Sequence, residues 1–266
     1  KQMELRGRRK NTVLSHKKFL FRFTDFLDSI GIAGFQYLTP DAVNQFIKVI
    51  LCNYSNSVAM EYYGILRRFL QYLTSSGNTK EDLSLKLVPV KRASTSARIP
   101  TTLTLEQIES ILSSVDRESP QGKRDYAVLM IAVKLGIRTC DIRNLRPSNF
   151  DWDQHMVSFT QIKTGEPLSL PLPMDVGWAV IDYLKNGRPH SEHPEVFLTC
   201  TVPIRPFGSH SCALNSILAK RVQQAGVRIS SEIPKGMHSL RRTLASVMLA
   251  NDVELPVISS VLGHVT

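Results

Sequence analysis

Cysteine is scarce in this sequence. Cys52, Cys140, Cys200 and Cys212 are the four in 266 residues, and no two of them stand at CxxC spacing. Neither a disulfide framework nor a zinc site is expected, and sparse unpaired thiols fit a reducing cytosol. Seven histidines are scattered with no HExxH pair among them, which removes another metal-binding pattern. No run of about 18 apolar residues occurs, so no membrane-spanning helix is expected. No signal peptide opens the chain, whose first residues are basic and polar. It starts on Lys1 instead of Met, so a fragment or a processed form is expected. Acidic residues are absent from Leu83 through Leu105, and tyrosine is absent after Tyr183. No internal repeat or low-complexity tract is visible.

Positive charge is what the sequence has in excess. Lys and Arg total 33 against 23 Asp and Glu, a formal +10. Such an excess suggests a polyanionic partner without specifying a fold. The hydrophobic fraction of 42% is enough for packed cores, and the length suits two domains. Residues 1–10 carry Arg8, Arg9 and Lys10 and read as a basic arm. Residues 11–87 show helical periodicity. Phe19, Phe23, Phe26, Leu27 and Ile30 fall on one helix face and Gly31 closes it. Thr39-Pro40 supplies an N-cap and a first-turn proline. Val43, Phe46, Ile47 and Ile50 make a second face, and Val58, Tyr62, Ile65, Leu66, Phe69 and Leu73 a third. These aromatic stripes are core positions of a small helical bundle. Residues 88–102 hold Pro89, Pro100, a Ser/Thr run, Lys91, Arg92 and Arg98, the composition of a basic interdomain linker able to follow a phosphate backbone.

The second domain, residues 103–266, begins with a capping box, Thr104 to Gln107. A buried helix is expected over about 123–135 and a short one around 141–145. The period then shifts to two, and Met156–Thr160 and Leu168–Leu170 flank Lys163-Thr164-Gly165 as a β-hairpin with glycine in the turn. Helices resume at about 175–183, 212–225, 238–250 and 255–262. The fold class is therefore mainly α: a helical bundle followed by an α+β domain with a small antiparallel hairpin or sheet.

Four segments of that domain carry candidate chemistry. Gly136-Ile137-Arg138-Thr139-Cys140-Asp141 sets an arginine at a helix start, where the dipole disfavours a cation unless an anion is shared; Asp141, one turn on, is placed to hold the guanidinium. Lys163 at the hairpin tip can reach a groove or give up a proton. His238 and Arg241 share a helix face at i and i+3, where neutral imidazole accepts a proton and guanidinium grips two phosphate oxygens. Leu262-Gly263-His264 ends the last helix and fixes the direction of His264. Taken singly, each has an ordinary alternative: a salt-bridged arginine, a solvated turn lysine, a capping histidine, a routine helix stop.

Order and spacing change that balance. GIRTCDIRNL, then a hairpin lysine 25 positions after Arg138, then HSLR, then LGH 23 positions after Arg241 resembles the tyrosine recombinase (phage integrase) family, over about residues 100–266. The resemblance implies a core-binding bundle, a catalytic domain, and a transesterification that needs neither metal nor other cofactor. Arg138, Arg241 and His264 would cradle the scissile phosphate, His238 would assist proton movement, and Lys163 would protonate the departing 5′ oxygen. A tyrosine would form a 3′-phosphotyrosyl link. The implied partner is double-stranded DNA at a recombination site, bound by a homo-oligomer, a tetramer on two sites, in the cytoplasm of a bacterium and away from membranes. Arg8, Arg9, Lys10, Lys91, Arg92 and Arg98 are candidate backbone contacts. The departure is the nucleophile. In the family it follows Leu-Gly-His shortly, and no tyrosine stands after Tyr183 here. A chain truncated before the nucleophile, which binds DNA without cutting it, is the expectation. The alternatives are an inactive DNA-binding relative and a type IB topoisomerase.

Overall fold

A computed structural model describes residues 10–90, 101–208, 212–230, 232–233 and 236–263, without the side chains of Lys10 and Asn11. The chain divides into two compact units, Lys1–Arg98 and Ile99–Thr266. Among the described residues no helix is long and apolar enough to cross a membrane.

The first unit is built on three helices, α1 (Lys10–Ser29), α2 (Pro40–Asn53) and α3 (Asn56–Ser75). Gly31, at φ +76°, takes the left-handed conformation that follows α1. Thr39 caps α2 by accepting from the Ala42 N–H, with Pro40 in the first turn. Phe19, Phe23 and Leu27 on α1 meet Val43, Phe46, Ile47 and Ile50 on α2 and Ile65, Leu66, Leu70 and Leu73 on α3. Phe46 is the hub: Phe19, Phe23 and Phe26 lie 5.9, 5.0 and 5.1 Å from it between ring centroids. The expected α1 face stops short at Ile30, which is 38% exposed. Ile30 follows the last helical residue, so the turn at Gly31 carries it off the buried stripe. Beyond a 3-10 turn at Leu83–Leu85, the Asn44 side chain bonds the Lys86 carbonyl and the Val88 N–H, tying the end of this unit to α2.

In the second unit, α4 (Leu105–Ser113) starts with the Thr104–Gln107 capping box and α5 (Pro120–Lys134) with a Ser119 cap. From Ala127 to Ala132 every residue of α5 is buried. Helix α5 is the central element, packed against α6 (Thr139–Ile142), α7 (Met174–Asn186), α8 (Ala213–Gln224) and α9 (His238–Ala250); α10 (Leu255–Val261) packs on α9. A three-stranded antiparallel sheet lies between α6 and α7 in sequence, in the order β1 (Phe150–Asp151), β2 (Met156–Thr160), β3 (Pro167–Pro171). The β2–β3 register runs from Met156 opposite Pro171 to Thr160 opposite Pro167, so the turn between them carries Ile162, Lys163 and Thr164. The expected hairpin is thus part of a sheet whose extra strand, two residues long, is too short to show in a hydropathy pattern. The architecture is mainly α with a small antiparallel sheet, as the sequence indicates.

The second core also encloses charge. Asp125 is fully buried on α5. It accepts from Arg124 at 2.8 Å on one oxygen and from Arg221 of α8 at 2.7 Å on the other. Arg124 also donates to the Leu198 carbonyl, and Arg221 to the Gln224 side chain. Buried ions are tolerated when the charges are paired this way, although the Arg221 Nε is left buried without an acceptor.

Candidate active site

Arg138 is placed by a backbone feature. Gly136, at φ +60°, turns the chain from α5 towards α6, and a Cβ there would stand 2.9 Å from Leu244 and 3.0 Å from Leu262. Only glycine meets both demands without strain. The Gly136 carbonyl then faces α9 and accepts from Arg241 Nη1 at 2.7 Å. Arg241 is 5% exposed, and its Nη2 donates to the Leu262 carbonyl. The turn after α5 and the end of α10 are therefore joined through one guanidinium.

Arg138, half-buried at the start of α6, bonds Gln161 Oε1 through Nη1 and the Gly263 carbonyl through Nη2, the latter at 3.0 Å. Its expected partner was Asp141. Instead Asp141, 3% exposed, accepts from the Ile162 backbone N–H at 2.7 Å and from the Cys140 thiol. The geometry of a four-residue helix explains the difference: Asp141 faces the hairpin, where it accepts from the Ile162 backbone N–H, and it fixes the hairpin and not the guanidinium. Among the described residues no carboxylate pairs with Arg138.

Lys163 is exposed in the β2–β3 turn. The turn is closed by the Gln161 N–H to the Glu166 carbonyl and the Gly165 N–H to the Gln161 carbonyl, both 2.8 Å, with Gly165 at φ +82°. His238 is the first residue of α9 and is exposed. Partial loss of hydration, followed by repulsion from Arg241, Arg242, Lys163 and Arg138, holds its imidazolium below the ordinary histidine range. Those repulsions place four of the sequence-selected residues, Arg138, Lys163, His238 and Arg241, in one electrostatic neighbourhood. Arg241 feels the same crowding: burial and then Arg138 pull its pKa down to about 10, against the opposing pull of Asp141. An anion between the guanidiniums would relieve both effects.

His264 lies outside the described residues, although the turn leading to it is seen, with Leu262 buried and Gly263 at φ +57°. Arg8, Arg9, Lys91, Arg92 and Arg98 also lie outside, as does the side chain of Lys10, and so does most of the 88–102 linker. Of the seven tyrosines, Tyr183 is buried, stacks on Phe197 and accepts from the Leu198 N–H, with burial pushing its pKa to about 12. Tyr126 lies under the Arg117 guanidinium, 4.4 Å from ring centroid to charge. Gln161 is the site residue that motif reading missed. Its signal is the strand period: Val157, Phe159 and Gln161 face inward, so a polar side chain falls where an apolar one is expected.

The phage integrase family model matches residues 101–266. Over 261 residues the chain is 31% identical to the protein y4rA of Sinorhizobium fredii (strain NBRC 101917 / NGR234), whose name places it among integrases and recombinases. The match covers 98% of this chain and 62% of y4rA, so the chain spans about three fifths of that relative's length. It is 26% identical to the tyrosine recombinase XerD of Listeria monocytogenes (serotype 4b, strain F2365) over 97% of this chain and 86% of that one. In fold it is similar to a lambda integrase dimer bound to a COC′ core site, with a TM-score of 0.75, 14% identity, and coverage of 98% of this chain and 87% of that chain.

Proposed function

The chain belongs to the phage integrase, or tyrosine recombinase, family, and from that membership we propose that it is the DNA-binding and strand-exchange part of a site-specific recombinase of a mobile element. The observation that carries this reading is the pairing of Arg138 and Arg241, whose described hydrogen bonds go to amide and carbonyl oxygens, beside His238 and Lys163. Those oxygens orient the two guanidiniums, and no carboxylate is among the described partners of Arg138. A phosphodiester fits them, because each guanidinium can bind two non-bridging oxygens and the charge that grows in the pentacoordinate transition state is met by donors already in place.

In the proposed step a tyrosine oxygen attacks the phosphorus and the bond to the 5′ oxygen breaks. His238, whose partial burial and then its cationic surroundings favour the neutral form, takes the phenolic proton, and Lys163 gives one to the leaving 5′ oxygen. The 5′ hydroxyl of a partner strand reverses the step, so rejoining needs no nucleotide cofactor. His264 completes the cradle. The attacking tyrosine is none of the seven in this sequence, as the internal packing of Tyr126 and Tyr183 supports, so these 266 residues bind DNA and do not cut it. The bundle, the linker residues Lys91, Arg92 and Arg98, and the arm residues Arg8, Arg9 and Lys10 follow the phosphate backbone. The working assembly is a tetramer on two duplexes in the bacterial cytoplasm.

The test is adduct formation on a denaturing gel. Duplexes selected by the protein from a random pool are nicked near the expected cleavage position and incubated with this chain and with the product of the complete gene. An adduct from the complete product alone, lost in Arg138→Ala and Arg241→Ala, supports the reading. Selective binding with no adduct from either protein indicates an inactive relative. Adducts without sequence preference indicate a topoisomerase.

A further inference from the structure

Gln161 sits at the junction of the parts that the proposed reaction needs. Its side chain is 2% exposed and its Oε1 accepts from Arg138. Its backbone closes the turn that carries Lys163, through bonds to Glu166 and Gly165. It also fills the space above the Leu262–Gly263 turn: a Cβ on Gly263 would stand 2.5 Å from Gln161 Oε1. Arg138 meanwhile spans from Gln161 to the Gly263 carbonyl. Three separate segments, the start of α6, the lysine hairpin and the turn before His264, therefore close on one buried amide.

A buried amide is an unexpected choice for this position. Gln161 follows the last residue of β2 and continues the inward alternation of Val157 and Phe159, where an apolar side chain would avoid the cost of burying a polar group. A carboxylate would bind Arg138 more strongly but would cancel its charge. The amide oxygen does what neither alternative can: it orients the guanidinium and leaves the positive charge uncompensated. Asp141, three residues on, is engaged with the Ile162 N–H and makes no described bond to Arg138.

We propose that Gln161 is a positioning residue for phosphoryl transfer, a neutral clasp that aims Arg138 at the phosphate and holds the lysine hairpin against the Gly263 turn. The inference rests on the recombinase reading for its chemistry but not for its geometry. Acting through Arg138, Gln161 contributes to the rate of the chemical step and little to DNA affinity.

Two variants of the complete protein separate this role from simple packing. Gln161→Met keeps the volume and removes the acceptor; Gln161→Glu keeps the acceptor and adds a charge. Each is measured for thermal stability, for DNA affinity and its salt dependence, and for single-turnover adduct formation. Gln161→Met is expected to keep its melting temperature and affinity while adduct formation slows about 100-fold, the scale of a small misplacement of a catalytic group. Gln161→Glu is expected to lose both rate and affinity, with a shallower salt dependence. A merely structural glutamine gives the opposite pattern: Gln161→Met at wild-type rate, since a buried apolar replacement of equal volume is tolerated. An arm that needs no cleavage is guanidinium NMR of the arginines. In the wild type the Arg138 Nη protons are protected from exchange, and Gln161→Met exposes them; unchanged protection overturns the clasp. If the wild type forms no adduct, the recombinase reading fails and the NMR arm alone decides on Gln161.

Discussion

Arg124 and Arg221 are as buried as Arg241, at 5%, 4% and 5% exposure, yet the two groups are held in different ways. The first two share the two oxygens of Asp125 and lie inside the packing of α5 and α8. The described partners of Arg241 are the carbonyls of Gly136 and Leu262, and those of Arg138 are the Gln161 amide and the Gly263 carbonyl. A carboxylate between two arginines satisfies charge within the protein and serves the fold. The neutral oxygens around Arg138 satisfy its hydrogen-bonding geometry with no carboxylate among its described partners. In the proposed reading the same residue type serves structure where a carboxylate holds it and chemistry where its described acceptors are neutral.

That contrast can be broken at either end. The largest effect is expected from Asp125→Ala, which leaves two buried guanidiniums without their shared acceptor and costs about 3–5 kcal/mol of stability in urea or thermal unfolding. Arg241→Ala is expected to slow adduct formation by the complete protein by roughly 10²–10³, about 2.7–4 kcal/mol in the transition state. Gly136→Ala combines a left-handed backbone with close approach to Leu244 and Leu262, and is expected to cost about 1–2 kcal/mol while displacing the carbonyl that Arg241 needs. The smallest effect concerns His238. Its folded pKa is depressed by partial dehydration and by Arg241, Arg242, Lys163 and Arg138, so the unfolded chain holds that proton more tightly. The contribution of neutral His238 is then present above a pH of about 6.5 and is lost as pH falls through that value towards the folded pKa. NMR titration is expected to show the His238 midpoint below the ordinary histidine value in the free protein and raised when the selected duplex binds. A midpoint that ignores DNA counts against an anion in this pocket.

Local rules carried much of the fold. The Thr39 and Thr104 caps, the Phe19–Phe23–Leu27 face and the β2–β3 pairing are decided by neighbours in sequence, and all are legible there. Ile30 was misread because periodicity does not say where the covering layer ends. The Arg124–Asp125 pair was invisible for a related reason: adjacent charges read as a solvated face, and their burial is created by α8, nearly a hundred positions away. In the site, the sequence pointed to His238, Arg241, Lys163 and Arg138, and the fold brings the last three near enough to His238 to lower its pKa. It did not reveal who holds Arg138. Asp141 was the obvious partner by spacing, but it accepts from the Ile162 N–H instead. Gln161 belongs to no motif, and only its inward strand register marks it.

The most direct test of the central claim is the slope of log affinity against log salt for the selected duplex. It is measured for the wild type, for the Arg138→Ala, Arg241→Ala double variant, and for Arg221→Met, each first shown to be folded. A protein whose site arginines neutralise a DNA phosphate loses about one unit of slope when they are removed, and Arg221→Met leaves the slope unchanged. Equal slopes for all three proteins would contradict the account, since Arg138 and Arg241 would then be no closer to a phosphate than the carboxylate-held pair.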